Sequence, residues 1–197
     1  MIGAAAPGQF PPPFLPEVAF VGKSNVGKSS LINALLNRKQ LVKTSSTPGK
    51  TRQINFFLIN GQFRFVDLPG YGFTRAGKAR TAGWEALIES YLSARSCLKG
   101  LVMILDVRHA PTKLDQAMIE WLEQAGLRFV LVANKADKLS RSQLSRHLAA
   151  LRPHLAGSAA PLAFSAKSSV GKDALWTQLS EWLAEPLDAG AAQGARP

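Results

Sequence analysis

The sequence predicts one α/β domain, a mostly parallel sheet between two layers of helices, and three observations carry that expectation. Short apolar runs of strand length alternate with stretches of helical period. Such alternation calls for crossover connections, which are right-handed where strands run parallel. At 197 residues the chain is long enough for one substantial core and short for two. A glycine-rich turn, Gly22 to Gly27, falls between the first apolar run and the first helical stretch, where βα units bind phosphates.

Residues 1–15 carry Pro7, Pro11, Pro12 and Pro13, a density of missing N–H donors that suits neither helix nor sheet. They are expected to form a flexible arm ahead of a domain at 16–185. The arm has no early Lys or Arg and its apolar character is broken by proline, unlike a secretion signal. Glu17 to Val21 reads as a strand, and Leu31, Ile32, Leu35 and Leu36 recur at helical spacing behind it. From Lys39 to Gln53, the run Thr44, Ser45, Ser46, Thr47, Pro48, Gly49 sustains neither period and reads as a loop. Ile54 to Asp67 is apolar on both sides of Asn60 and Gly61, the pair that supplies the two positive φ angles of a type I′ turn. An antiparallel hairpin follows. Leu101 to Leu105, Phe129 to Ala133 and Pro161 to Phe164 are further strands. Between and after them lie helices with apolar stripes at Leu114, Met118, Trp121 and Leu122, at Leu144, Leu148 and Leu151, and at Leu175, Leu179, Trp182 and Leu183. Residues 186–197, rich in Ala and Gly without period, are expected to be a disordered tail.

Composition excludes some classes. No apolar run approaches the length of a membrane span, and the single cysteine, Cys97, excludes an intrachain disulfide and fits a reducing, cytoplasmic setting. Its expected role is a small buried hydrophobe. Trp84, Trp121, Trp176 and Trp182 sit in helical settings that favour core packing over base stacking. The net charge of +11 is unevenly placed. Arg38, Lys39, Lys43, Lys50, Arg52, Arg64, Arg75, Lys78 and Arg80 share their stretch with one acidic residue, Asp67. A field of that sign attracts phosphate backbones and points to nucleic acid as partner.

Gly22, Lys23, Ser24, Asn25, Val26, Gly27, Lys28 and Ser29 match GxxxxGKS between a strand and a helix. Glycines let the backbone fold so that its N–H groups converge on phosphates, and the helix adds its positive end. Lys28 is placed to reach the β and γ oxygens, and the Ser29 hydroxyl to ligate Mg²⁺. Asp67, Leu68, Pro69 and Gly70 give DxxG at a strand end, with the Asp67 carboxylate on the Mg²⁺ shell and the Gly70 N–H on the γ-phosphate. Thr51 and Thr47 are both candidates for a further Mg²⁺ hydroxyl. Thr51, nearer the following strand, is preferred because it has less room to swing. Asn134, Lys135, Ala136 and Asp137 give NKxD at a strand's carboxyl end, where α/β sheets bind ligands. The two oxygens of Asp137 match the adjacent N1–H and amine of guanine, a donor pair adenine lacks. The Lys135 stem suits the base face, Asn134 suits a tie between loops, and the N–H of Ala166, in Ser165-Ala166-Lys167, suits the guanine O6.

In this order and spacing, GKSNVGKS, TPGKT, DLPGYG, NKAD and SAK resemble the small translation-associated GTPases, and most closely the EngB family, over Pro16 to Ala184. The resemblance implies a six-stranded Ras-like P-loop NTPase sheet, mostly parallel with one antiparallel edge hairpin strand. It also implies GTP hydrolysis and a role in assembling the large ribosomal subunit, with effects on cell division. By position it assigns Gly49, Lys50, Thr51, Arg52 and Gln53 to the first switch, Asp67 to Gly70 to the second, Ser29, Thr51 and Asp67 to the metal, and Phe164, Ser165 and Ala166 to guanine. Lys28, Thr51 and Gly70 are the catalytic candidates. The expected partners are GTP or GDP and ribosomal RNA or a large-subunit precursor, with no membrane, the chain acting as a monomer. Where Ras-like enzymes place a water-orienting glutamine stands Tyr71, which implies slow turnover. Asn25 resembles the asparagine that binds K⁺ in cation-activated GTPases. A protein-only signalling switch and a small-molecule P-loop kinase are the rival readings. No terminal lipid motif supports the first, and NKAD opposes the second.

Overall fold

The computed structural model describes residues 1–38, 41–42, 53–71, 78–154 and 160–187, with the backbone alone at 78–85 and 154. Seven strands form one sheet in the order β1-β3-β4-β2-β5-β6-β7. They are β1 Ile2–Ala4, β2 Glu17–Gly22, β3 Ile54–Ile59, β4 Phe63–Asp67, β5 Leu98–Asp106, β6 Phe129–Asn134 and β7 Leu162–Ala163. From β4 outward through β2, β5, β6 and β7 every pairing is parallel, while β3 joins β4 and β1 joins β3 antiparallel. The helices are α1 Lys28–Leu35, α2 Lys78–Ala94, α3 Lys113–Gln124, α4 Arg141–Leu151 and α5 Lys172–Ala184.

Alternation along the strands divides the core into two layers. Ala19, Val21, Leu101, Met103 and Leu131 pack with Tyr91 and Leu92 of α2, Ile119 and Leu122 of α3, and Leu151 of α4. Their neighbours Val18, Phe20, Val102, Ile104 and Val132 point the other way, onto Leu31 and Ile32 of α1 and Leu175 and Leu179 of α5. Asn60 and Gly61, at φ 50° and 73°, make the hairpin turn with two left-handed residues. Trp182 is buried and Trp176 stacks on Phe65, so both pack. Within α3 the buried positions are Asp115, Ile119 and Leu122, whereas Leu114 is exposed.

The strand count is seven rather than six, because part of the proline-rich segment expected to be a flexible arm joins the sheet. Ile2–Ala4 pairs with β3 and buries Ala4. Prolines lack N–H donors but keep their carbonyls, and two arginines use them: Arg95 Nη2 donates to Pro11 O at 2.7 Å and Arg64 Nη1 to Pro12 O at 2.9 Å. Phe10 packs against Phe56 and Tyr91, with the Arg95 guanidinium over both phenyl rings. Glu17 fixes both arginines. Fully buried, it accepts from Arg95 Nε (2.8 Å) and Nη2 (2.6 Å), Arg64 Nη1 (3.1 Å) and the Tyr91 hydroxyl (3.0 Å). Burial, and then the Glu17 charge, pushes the neighbouring Cys97 thiol up to about 12, an inert core cysteine. The tail at 188–197 lies outside the described residues. Among them, no helix is long and apolar enough to cross a membrane.

Candidate nucleotide-binding site

Three parallel strands, β4 beside β2 and β6 beyond the intervening β5, end at one edge of the sheet and deliver the sequence motifs there. Gly22 closes β2, Asp67 closes β4 and Asn134 closes β6. The turn from β2 enters α1 through Gly27 at φ +95°, a conformation that favours glycine, and no side chain caps the first turn of the helix. Its N–H groups are therefore available to an anion. A Cβ on Gly27 would stand 2.5 Å from Asn134 Nδ2, and one on Gly22 would stand 2.7 Å from Ile104 O, so both glycines are fixed by close approach. Lys28 forms an ion pair with Asp67, both side chains being largely enclosed. The DxxG turn lies against the loop: a Cβ on Gly70 would meet Ser24 Oγ at 3.2 Å, and Ser24 N donates to Tyr71 O at 3.2 Å.

The donor set fits Mg²⁺. Asp67 pairs with Lys28 at the first turn of α1, Ser29 with its hydroxyl follows Lys28 in sequence, and a hard cation takes such oxygens together with phosphate oxygens and water. Among the described residues no group of three or more His, Cys, Asp or Glu side chains could hold a metal by itself. Gly49, Lys50, Thr51 and Arg52 lie outside the described residues, as do Thr47 and the cluster members Lys39, Lys43 and Arg75. Gln53 is exposed just ahead of β3.

At the other end of the edge, Asn134 Nδ2 donates to Val26 O at 2.8 Å, tying the two motifs across 108 residues of chain. Its buried Oδ1 has no partner among the described residues, so a donor is favoured there. Lys135 adopts φ 66°, rare for a residue with a side chain, and its ammonium donates to Asn25 O (2.8 Å) and Asp106 Oδ2 (2.9 Å). Asp106 is itself chelated by Arg108 through Nε and Nη2. Partial burial works to raise its pKa, but the hydrogen bonds from Arg108 and Lys135 outweigh that and hold the carboxyl well below the usual range. Asp137 stands in an exposed turn, accepting from the buried Ser165 hydroxyl at 2.7 Å. That bond does most to lower its pKa; burial, the next largest effect, opposes it, and the charges of Lys138 and Lys167 add to the lowering. Phe164 is buried and Ala166 half-buried in the same loop. Gly171 (φ +75°) closes this loop so tightly that a Cβ would collide with Ala163 O.

A family model described as "50S ribosome-binding GTPase" matches residues 17–135. A probable GTP-binding protein EngB of Desulforamulus reducens is 50% identical over 183 residues, which covers 91% of this chain and 89% of the relative. The counterpart from Syntrophus aciditrophicus is 49% identical over 176 residues, 89% and 90% of the two chains. The chain belongs to the EngB family of GTP-binding proteins. A crystal structure of a probable GTP-binding protein engB superposes with a TM-score of 0.72 at 23% identity, covering 86% of this chain and 100% of that one, which shows the shared fold.

In this EngB chain the sequence motifs leave out the residues that hold them. Tyr71, directly after DxxG, is buried and donates to Asp115 Oδ1 at 2.7 Å. Asp115 Oδ2 in turn accepts from Thr112 N and Oγ1 in the capping box of α3. Burial, and then the bond to Asp115, drives the Tyr71 phenol far above its ordinary pKa. The turn after β4 is thus pinned at once to the phosphate loop, through the Tyr71 backbone, and to α3, through the Tyr71 side chain. Asp106 is the other support that motif spacing missed, while Ser165, already named by its motif, holds Asp137 through its hydroxyl. A carboxylate ending a strand that runs beside the NKxD strand was the available signal for Asp106.

Proposed function

We propose that this EngB protein binds GTP with Mg²⁺, hydrolyses it slowly, and uses the difference between GTP and GDP to control docking on large ribosomal subunit precursors, an influence on cell division following from that role. The observation that carries this reading is the joining of Gly22–Ser29, Asp67–Gly70, Asn134–Asp137 and Ser165 at one sheet edge, with Asn134 bonded to the phosphate loop itself. The uncapped first turn of α1 would receive the phosphates. Lys28 would exchange its contact with Asp67 for the β and γ oxygens, leaving the carboxylate to the Mg²⁺ shell with Ser29. Thr51 would complete that shell in the triphosphate state, and Gly49 to Gln53 would close over the nucleotide as the first switch. Bound Mg²⁺ would neutralise charge developing on the phosphates.

Hydrolysis is attack of water on the γ-phosphorus with loss of GDP, and it needs the water oriented. The Tyr71 hydroxyl is engaged by Asp115 inside the core, which supports a low intrinsic rate. A ribosomal partner or a monovalent cation is left to supply the missing help. The Asn25 side chain, exposed on the phosphate loop, is the proposed K⁺ ligand. KCl should then raise turnover several-fold over NaCl at equal ionic strength, and equal rates would remove the cation from this account.

The 50S ribosome-binding description of the matching family, together with the basic residues between Arg38 and Arg80, supports the ribosomal partner. Several of these lie in the segments 39–53 and 68–83, whose arrangement contact with the γ-phosphate would change. Cosedimentation with large ribosomal subunits should be markedly stronger with a non-hydrolysable GTP analogue than with GDP. Equal recovery in both would count against a switch.

A further inference from the structure

The basic residues of the switch segments leave aside a second run. From Lys138 to Lys172 the chain contains Arg141, Arg146, Arg152 and Lys167 and no Asp or Glu at all. Three of these arginines fall on α4 or on the residue that caps it, and all three are exposed. No carboxylate pairs with them among the described residues.

We propose that the solvent face of α4 is a second docking surface for the phosphate backbone of ribosomal RNA, one that acts alike in the GTP and GDP states. The inference rests on the ribosomal reading above and adds a site to it. The contacts that hold the helix do not involve the phosphate loop. Ser140 and Gln143 close a capping box at its start, and Leu144, Leu148 and Leu151 lie against the core. At about 100° per residue, Arg141, Ser145 and Arg152 fall within roughly 40° of one another, and Ser142, Ala149 and Arg146 extend the same arc. Arg141 and Arg152 are then about 16 Å apart along the axis, with Arg146 between them. Small residues separate the arginines, so a backbone can approach closely. Guanidinium forks pair with phosphate oxygens through two bonds, and the serine hydroxyls can add neutral ones. The apolar side of α4 is spent on the core and its exposed arc carries no large apolar side chain, which favours RNA over a lipid surface.

The test compares three full-length proteins, wild type, Arg141→Gln/Arg146→Gln/Arg152→Gln, and a control of equal charge loss, Lys99→Gln/Lys113→Gln/Arg128→Gln. Each is titrated onto labelled large-subunit ribosomal RNA at rising KCl, with GDP and with the GTP analogue. The α4 variant should bind on the order of 10²-fold more weakly in about 0.1 M KCl, its salt slope shallower by roughly 2 to 3, in both nucleotide states. Its GDP affinity and melting temperature should match wild type, and the control should stay near wild type throughout. Equal weakening of both triple variants would reduce the effect to net charge and overturn the proposal. So would an α4 variant that binds as wild type does, or one weakened in the GTP state alone. If wild type itself ignores the RNA, the ribosomal reading falls and this surface falls with it. Retention on anionic vesicles in place of RNA would have the same effect.

Discussion

Replacing Asp137 by Asn should weaken guanine-nucleotide binding about 10²- to 10³-fold and shift preference toward xanthine nucleotides. The carboxylate can accept from the N1–H and the amine of guanine together, two charge-assisted bonds of roughly 1.5–3 kcal/mol each. The Ser165 hydroxyl donates to Oδ1 from below, which fixes the rotation of the group. In the variant an oxygen is still wanted at that position, so the Asn amide is expected to keep Oδ1 toward Ser165 and turn Nδ2 toward the position of the guanine amine. Two donors would then face each other. Xanthine carries a carbonyl in that position and would accept from Nδ2 while its N1–H still donates. Because the Asn amide still offers an acceptor to the Ser165 hydroxyl, the loss should appear in nucleotide affinity and barely in the melting temperature. Titration of wild type and variant with GDP and XDP measures it. Unchanged GDP affinity would contradict the assigned contact.

The second large effect concerns the fold behind the site. Glu17→Ala should cost about 3–5 kcal/mol, because it strips two enclosed guanidiniums of their partner and leaves the Tyr91 hydroxyl unpaired. For a domain of this size that is a fall in melting temperature of roughly 6–20 °C. Arg64 and Arg95 also hold the carbonyls of Pro12 and Pro11, so without Glu17 the anchoring of β1 should loosen as well. Amide exchange at Ile2 to Ala4 should then rise well before the parallel strands respond. A variant melting with wild type, its β1 still protected, would show that the cluster stabilises neither the domain nor the segment.

Features resting on local chemistry were legible in the sequence. Asn60 and Gly61 predict their own turn because both must be left-handed, and Gly22 to Ser29 announce a loop between strand and helix because few other residues let a backbone fold so tightly. The parallel strands show as apolar runs since both faces are buried. What stayed hidden depends on partners distant in the chain. Ile2, Gly3 and Ala4 have weak strand character of their own and pair because Arg64 and Arg95 hold the prolines behind them. Glu17 opens an apolar run and gives no sign of gathering side chains from β4 and from the end of α2. The first six residues of α2, Lys78 to Gly83, lack an apolar period and give no helical signal of their own. Tyr71 and Asp115 are separated by 44 residues, and only the fold brings the DxxG turn against the start of α3.

The central claim is that a carboxylate at the end of one strand chooses the base while a backbone turn at the end of another holds the phosphates. Competition of GTP, GDP and ATP for a fluorescent guanine nucleotide on the purified protein tests it most directly. Displacement by GTP and GDP, with ATP ineffective even in large excess, is the predicted result, and displacement by ATP as readily as by GTP would contradict it.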